Sequence, residues 1–149
     1  IMSSKLYKRI LIATDGSEYT KNSIDYGLEL AKNTEAKVHV IYVIDTAAFA
    51  SIPMDAAWES MYSLLKQEGD EATRHVADKA NAEGLEVERN TVEGHPAEEI
   101  TKYAEKNSIN LIVMGTLGKS GLDRFLLGSV AEKVVRTSKI PVLVVRGKK

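Results

Sequence analysis

The chain has no cysteine among its 149 residues. That absence removes disulfides, thiol catalysis and cysteine-ligated zinc together, and it fits a reducing compartment. An excess of either charge is also missing: 20 Lys and Arg stand against 21 Asp and Glu, a formal net charge of −1. The sequence therefore carries no electrostatic footprint for nucleic acid. No apolar run approaches the roughly 20 residues that would cross a bilayer. The start, Met2-Ser3-Ser4-Lys5, lacks the pattern of a signal peptide. The expectation is a cytoplasmic protein with neither membrane nor nucleic acid as partner.

Several chemical signatures are absent as well. A dinucleotide site wants G-x-G-x-x-G after the first strand, and only Gly16 stands there. Gly118-Lys119-Ser120 suggests a P-loop, but that motif needs a glycine where Val113 stands. His39, His75 and His95 fall in different elements without metal-ligand spacing. Asp15 has no neighbouring acid of the kind a phosphoacceptor receiver domain shows.

What is present is an orderly alternation of strands and helices. Arg9–Thr14 is a short apolar run ended by Asp15-Gly16-Ser17, a turn with a helix N-cap residue. Ile24, Gly27, Leu28 and Ala31 recur at helical spacing. Val38–Ile44 is rich in β-branched residues and reads as the second strand. A long helix is expected from about Met54 to Ala82, with Trp58, Met61, Leu65, Ala72 and Val76 near one face. The apolar connection Asp45–Pro53 reads as a lid or docking segment. Leu85–Arg89 alternates like a strand near a sheet edge, and Pro96 opens a helix carrying Ala97, Ile100 and Ala104. Leu111–Met114, a helix over Gly128–Thr137 and a last strand Pro141–Val145 complete the order. Five such strands in one domain, residues 1–149, imply an α/β fold: an open parallel sheet with helices on both faces, Rossmann-like.

The richest stretch is Met114–Ser129. A buried strand ends in Gly115 and Gly118, and nine residues later Gly128-Ser129 opens a helix at Val130. Backbone N–H groups presented in this way suit an anion, and glycine permits both positive φ and close approach. A helix end contributes only about 0.3–1 kcal/mol per charge, up to ~2 when partly buried, whereas micromolar binding needs about −8 kcal/mol. An apolar slot for a base is therefore required, and Ala13, Val43 and Met114 are the candidates. Asp15 would accept from a ribose hydroxyl or an exocyclic amine, while Lys119 and Arg124 could add charge near the phosphates.

Ala-Thr-Asp-Gly-Ser after the first strand, the G-x2-G-x9-G-S spacing and the ending Pro-Val-Leu-Val-Val together resemble the universal stress protein family, over essentially the whole chain. The resemblance implies sheet order 3-2-1-4-5 and, in its nucleotide-binding branch, ATP, with Mg2+ accompanying it. Carried over by position, the contacts would be Asp15, Val43, Met114, Gly115, Gly118, Gly128, Ser129 and Val130, with Ala13 and Thr14 beside them. The function expected is an ATP-binding regulatory module of the stress response. Hydrolysis would be slow or partner-dependent, since the fourth strand ends without a carboxylate to share a metal with Asp15. The apolar strand Val142–Val145 would lie at a sheet edge and pair two copies into a homodimer. The alternative is a homodimeric scaffold that needs no nucleotide.

Overall fold

Five parallel strands form one sheet in the order β3-β2-β1-β4-β5, as expected. The computed structural model describes residues 4–51, 53, 55–116 and 127–147. The strands are β1 (Arg9–Ala13), β2 (Lys37–Asp45), β3 (Val87–Gly94), β4 (Leu111–Gly115) and β5 (Val142–Val145). The helices are α1 (Lys21–Thr34), α2 (Ala56–Ala82), α3 (Pro96–Lys106) and α4 (Ser129–Thr137). Short 3-10 helices cover Glu18–Thr20 and Thr46–Phe49. No helix among the described residues is long and apolar enough to cross a membrane.

The two-residue period of the strands divides the core between the faces of the sheet. Ile10, Ile12, Val38, Val40, Leu111 and Val113 pack with α1 residues Ile24, Leu28 and Ala31, and with Val76 and Ala80 of α2. Leu11, Ala13, Ile41, Ile112 and Met114 point to the other face, against Ala97, Ile100 and Ala104 of α3 and Ala131 and Val134 of α4. Both faces are covered, which is why the central strands read as unbroken apolar runs. Asn110 aligns the two central strands, its Oδ1 accepting from the Lys8 and Arg9 amides at 3.0 and 2.8 Å.

Three local readings change. β3 runs over eight residues from Val87 instead of stopping at Arg89, because β2 templates it continuously from Val38↔Val87 to Asp45↔Gly94. Its polar second half suits an edge strand and so gave no apolar signal. Met61, expected on the inner face of α2, is 41% exposed. Trp58, Leu65 and Ala72 do pack inward, on a small cluster of Tyr42, Ile44 and Phe49. That cluster also accounts for the connection after β2: Phe49 is buried there, edge-on to Trp58, which stacks on Tyr62 with ring centroids 5.5 Å apart. Thr46–Phe49 is a 3-10 helix hooked down by the Phe49 ring.

Candidate functional site

Strand order reverses between β1 and β4, the place where an open parallel sheet binds ligands beyond its carboxyl ends. β1 ends at Ala13 and β4 at Gly115, side by side, with Ile12 in register with Val113. β2 flanks β1, and the Thr14 amide donates to Ile41 O at 3.0 Å. The start of α4 is tied to the end of β4 by Gly128 N–H donating to Thr116 O at 2.7 Å. The ends of β1, β2 and β4 and the first turn of α4 thus meet around one crevice.

The expected site residues within the described part of the chain each have a definite place. Asp15 is half-buried in the turn after β1, and its Oδ1 accepts from the Ser17 amide at 2.9 Å and the Ser17 hydroxyl at 2.6 Å. Its second oxygen receives no hydrogen bond among the described residues, leaving an acceptor for a ligand hydroxyl. Gly16 follows at φ 80°, the left-handed conformation this tight turn requires. Thr14 is buried, and its hydroxyl accepts from the Gly16 amide at 3.1 Å and meets the Thr20 hydroxyl at 3.2 Å. Its side chain braces the turn from within.

Ala13, Val43, Met114 and Val130 do come together, in the cluster between the sheet and α3–α4. Ala13 is 8% and Met114 5% exposed, so a base would lie over this cluster and not between its side chains. Gly115 is buried at the end of β4, and Gly128 is the N-cap of α4 with φ −61° and ψ 157°. Neither has positive φ. Of the two reasons offered for glycine, only the close approach of a ligand applies to them. The Gly128 amide is already committed to Thr116. Among the described residues the amides of the α4 first turn, Ser129, Val130 and Ala131, have no acceptor, since the first intrahelical bond runs from Glu132 N–H to Gly128 O. Ser129 is exposed at that turn. Gly118, Lys119 and Arg124 lie outside the described residues.

Beside these residues is an open concavity of about 360 Å³, which the sequence did not disclose. Asp45, Ala47 and Ala48 border it after β2, His95, Pro96 and Ala97 at the start of α3, and Ser129, Val130 and Lys133 on α4. Lys133 donates to Glu98 at 3.1 Å across the rim. That bond, with the nearby charge of Lys133 and then of His95, holds the Glu98 carboxyl below the usual range. These residues come from three separate segments, and only the sheet register and the α3–α4 packing bring them together. Among the described residues no group of three His, Asp or Glu side chains is placed to hold a metal ion.

The model of the universal stress protein family matches residues 6–146. A universal stress protein of Methanocaldococcus jannaschii is 45% identical over 141 residues, covering 95% of this chain and 83% of its own. One of Methanothermobacter thermautotrophicus is 40% identical over 148 residues, covering 95% of this chain and 97% of its own. Among solved structures, the hypothetical protein MJ0577 is similar with a TM-score of 0.77 and 33% identity, over 97% of this chain and 99% of that one. A universal stress protein in complex with cAMP has a TM-score of 0.72 and 26% identity, over 97% of this chain and 100% of that one.

Proposed function

The chain belongs to the universal stress protein family, and on that basis we propose that it is an ATP-binding regulatory module of the stress response. The observation that carries the reading is the crevice at the β1/β4 reversal. There the start of α4, whose first-turn amides are uncommitted among the described residues, is tied to the end of β4, and the neighbouring strand β1 leads into the half-committed carboxylate of Asp15. The amides and the Ser129 hydroxyl would take phosphate oxygens, Asp15 a ribose hydroxyl, and Val43 and Val130 one face of the base. Gly115 would allow a phosphate near the backbone, and Gly118 and Lys119 belong to the same proposed contact set. A structural relative was solved with cAMP, also an adenine nucleotide, which supports the class of ligand.

Magnesium would arrive on the triphosphate. The chemistry it supplies is charge neutralisation, while the chain's own residues bind and orient the nucleotide. Any hydrolysis would be slow or partner-dependent, since β4 ends in Gly115 without a carboxylate to share a metal with Asp15. The protein would act in the cytoplasm as a homodimer paired through β5. That strand is terminal in the sheet and bonded only to β4 among the described strands, so its outer backbone edge is unpaired.

Denaturing the purified protein and chromatographing the supernatant should release an adenine nucleotide, and calorimetry on the stripped protein should show ATP binding. No nucleotide and no ATP affinity would overturn the proposal. Gly128→Val fits the observed backbone angles, so it should abolish binding while the sedimenting species remains a dimer. A dimer indifferent to ATP would instead favour the nucleotide-independent scaffold.

A further inference from the structure

β3 closes the sheet on the side opposite β5 and is the longer edge, eight residues against four. It pairs with β2 without a bulge from Val87 to Gly94, and no proline interrupts it. The register decides which peptide groups are left over. Val38 N–H donates to Glu86 O at 2.8 Å, so the even-numbered residues of β3 turn their N–H and C=O groups to β2. Those of Val87, Arg89, Thr91 and Glu93 point away from the sheet and have no partner among the described residues. Such an edge is a template for another strand.

The side chains along it carry a pattern. Arg89, Thr91 and Glu93 share the α2 face of β3, and all three are exposed. Arg89 donates from Nε to Thr73 Oγ1 at 3.2 Å and from Nη2 to Asp70 Oδ1 at 2.6 Å, leaving Nη1 unused among the described residues. Glu93 accepts the Tyr62 hydroxyl on Oε2, and its Oε1 has no donor among the described residues. A positive and a negative group, each half spent, thus stand at equal distances along the strand on either side of Thr91.

We propose that the β3 edge is a self-association surface, on which a second copy of this chain pairs antiparallel about a two-fold axis at Thr91. An axis normal to the sheet sets outward peptide groups against outward peptide groups. Thr91 then opposes its own counterpart, and Arg89 opposes Glu93 of the second copy on both sides of the axis. Directly opposed Thr–Thr and opposite-charge pairs favour a ladder, and like charges oppose it. Moving the axis to Arg89 or to Glu93 would set like charges face to face, so the charges select this register. The surface lies at the far edge from β5 and does not rest on the nucleotide reading.

The chain has no cysteine, so Thr91→Cys introduces a lone thiol at the axis. Opposed residues of a hydrogen-bonded antiparallel pair have Cα atoms about 5.5 Å apart, within disulfide reach. Under mild oxidation this variant should form a covalent dimer. Glu88→Cys, also exposed but opposite Gly94 in this register, should not do so at the same concentration and time. By sedimentation, Arg89→Glu should weaken association at this edge by on the order of tenfold, and adding Glu93→Arg should restore it. Where β5 also pairs, the loss is from tetramer to dimer; where it does not, from dimer to monomer, so the two edges are read separately. No covalent dimer from Thr91→Cys, equal cross-linking of the two cysteine variants, or association indifferent to Arg89→Glu would each overturn the proposal. If Arg89→Glu does not fold, the cysteine pair decides.

Discussion

Replacing Gly27 by alanine sets helix propensity against packing, and packing should win. Gly27 lies inside α1, where alanine is favoured over glycine by about 1 kcal/mol. Its Cα, however, rests directly on the sheet. An added Cβ would stand 2.8 Å from Ile12 Cδ1, 2.9 Å from Ile12 Cγ1 and 3.4 Å from Val113 Cγ1. Ile12 and Val113 are fully buried and cannot move into solvent. Forcing a methyl into such a core costs typically 1–3 kcal/mol. The net expectation is a loss of about 1 kcal/mol, which lowers the Tm by roughly 2–4 °C for a domain of this size. Urea unfolding followed by circular dichroism measures it, with an unchanged m-value. Ile12→Ala removes both close atoms, so the double variant should be more stable than the sum of the single losses by at least ~0.5 kcal/mol. A more stable Gly27→Ala protein, or strict additivity in that cycle, would refute the packing account.

Other outcomes follow from named contacts. Tyr103 OH donates its proton to Glu88 at 3.1 Å and accepts from Asn90 at 2.7 Å, so the His39 Nδ1 at 2.7 Å must be a donor. His39 Nε2 is then a bare, buried atom without a partner among the described residues. Burial, with Lys37 and Arg9 against the opposing pull of Glu88 and Glu86, lowers the His39 pKa. The unfolded chain takes up a proton first as pH falls through about 6.5, so stability should decline below that pH until His39 protonates in the native state. The pH dependence of urea unfolding should flatten there in His39→Gln, and nitrogen NMR should find the Nδ1–H tautomer; an Nε2–H resonance would contradict it. Phe49→Ala should cost about 3–5 kcal/mol if the ring is as buried as it is here, and proteolysis should then cut first between residues 46 and 55. Asn110→Ala leaves the Lys8 and Arg9 amides without their acceptor and should cost about 1–3 kcal/mol by chemical denaturation.

The architecture was legible because β1, β2 and β4 are buried on both faces and so are written as consecutive apolar residues. The reversal point and the places of Asp15 and Ser129 follow from where those runs stop. β3 was read short because its outer half faces solvent, and polar residues such as Asn90 and Glu93 carry no burial signal. Met61 was misplaced because the spacing from Trp58 is helical yet falls off the narrow stripe that touches the sheet. The spent amide of Gly128 was invisible too, since a glycine motif does not say which N–H groups the fold itself consumes. Asp45, His95 and Lys133 gave no joint signal at all: they are 50 and 38 residues apart in succession, and only the β2–β3 register and the α3–α4 contact make them neighbours.

The Gly128–Thr116 bond pins together the two ends of the span 117–127. The entry and exit residues, Thr116 and Gly128, stand one backbone hydrogen bond apart. Doubling the length of such a closed span costs only ~0.6 kcal/mol in chain entropy. An insertion between Thr116 and Gly128 is therefore expected to leave the melting behaviour of the sheet nearly untouched, which thermal unfolding of a lengthened variant measures.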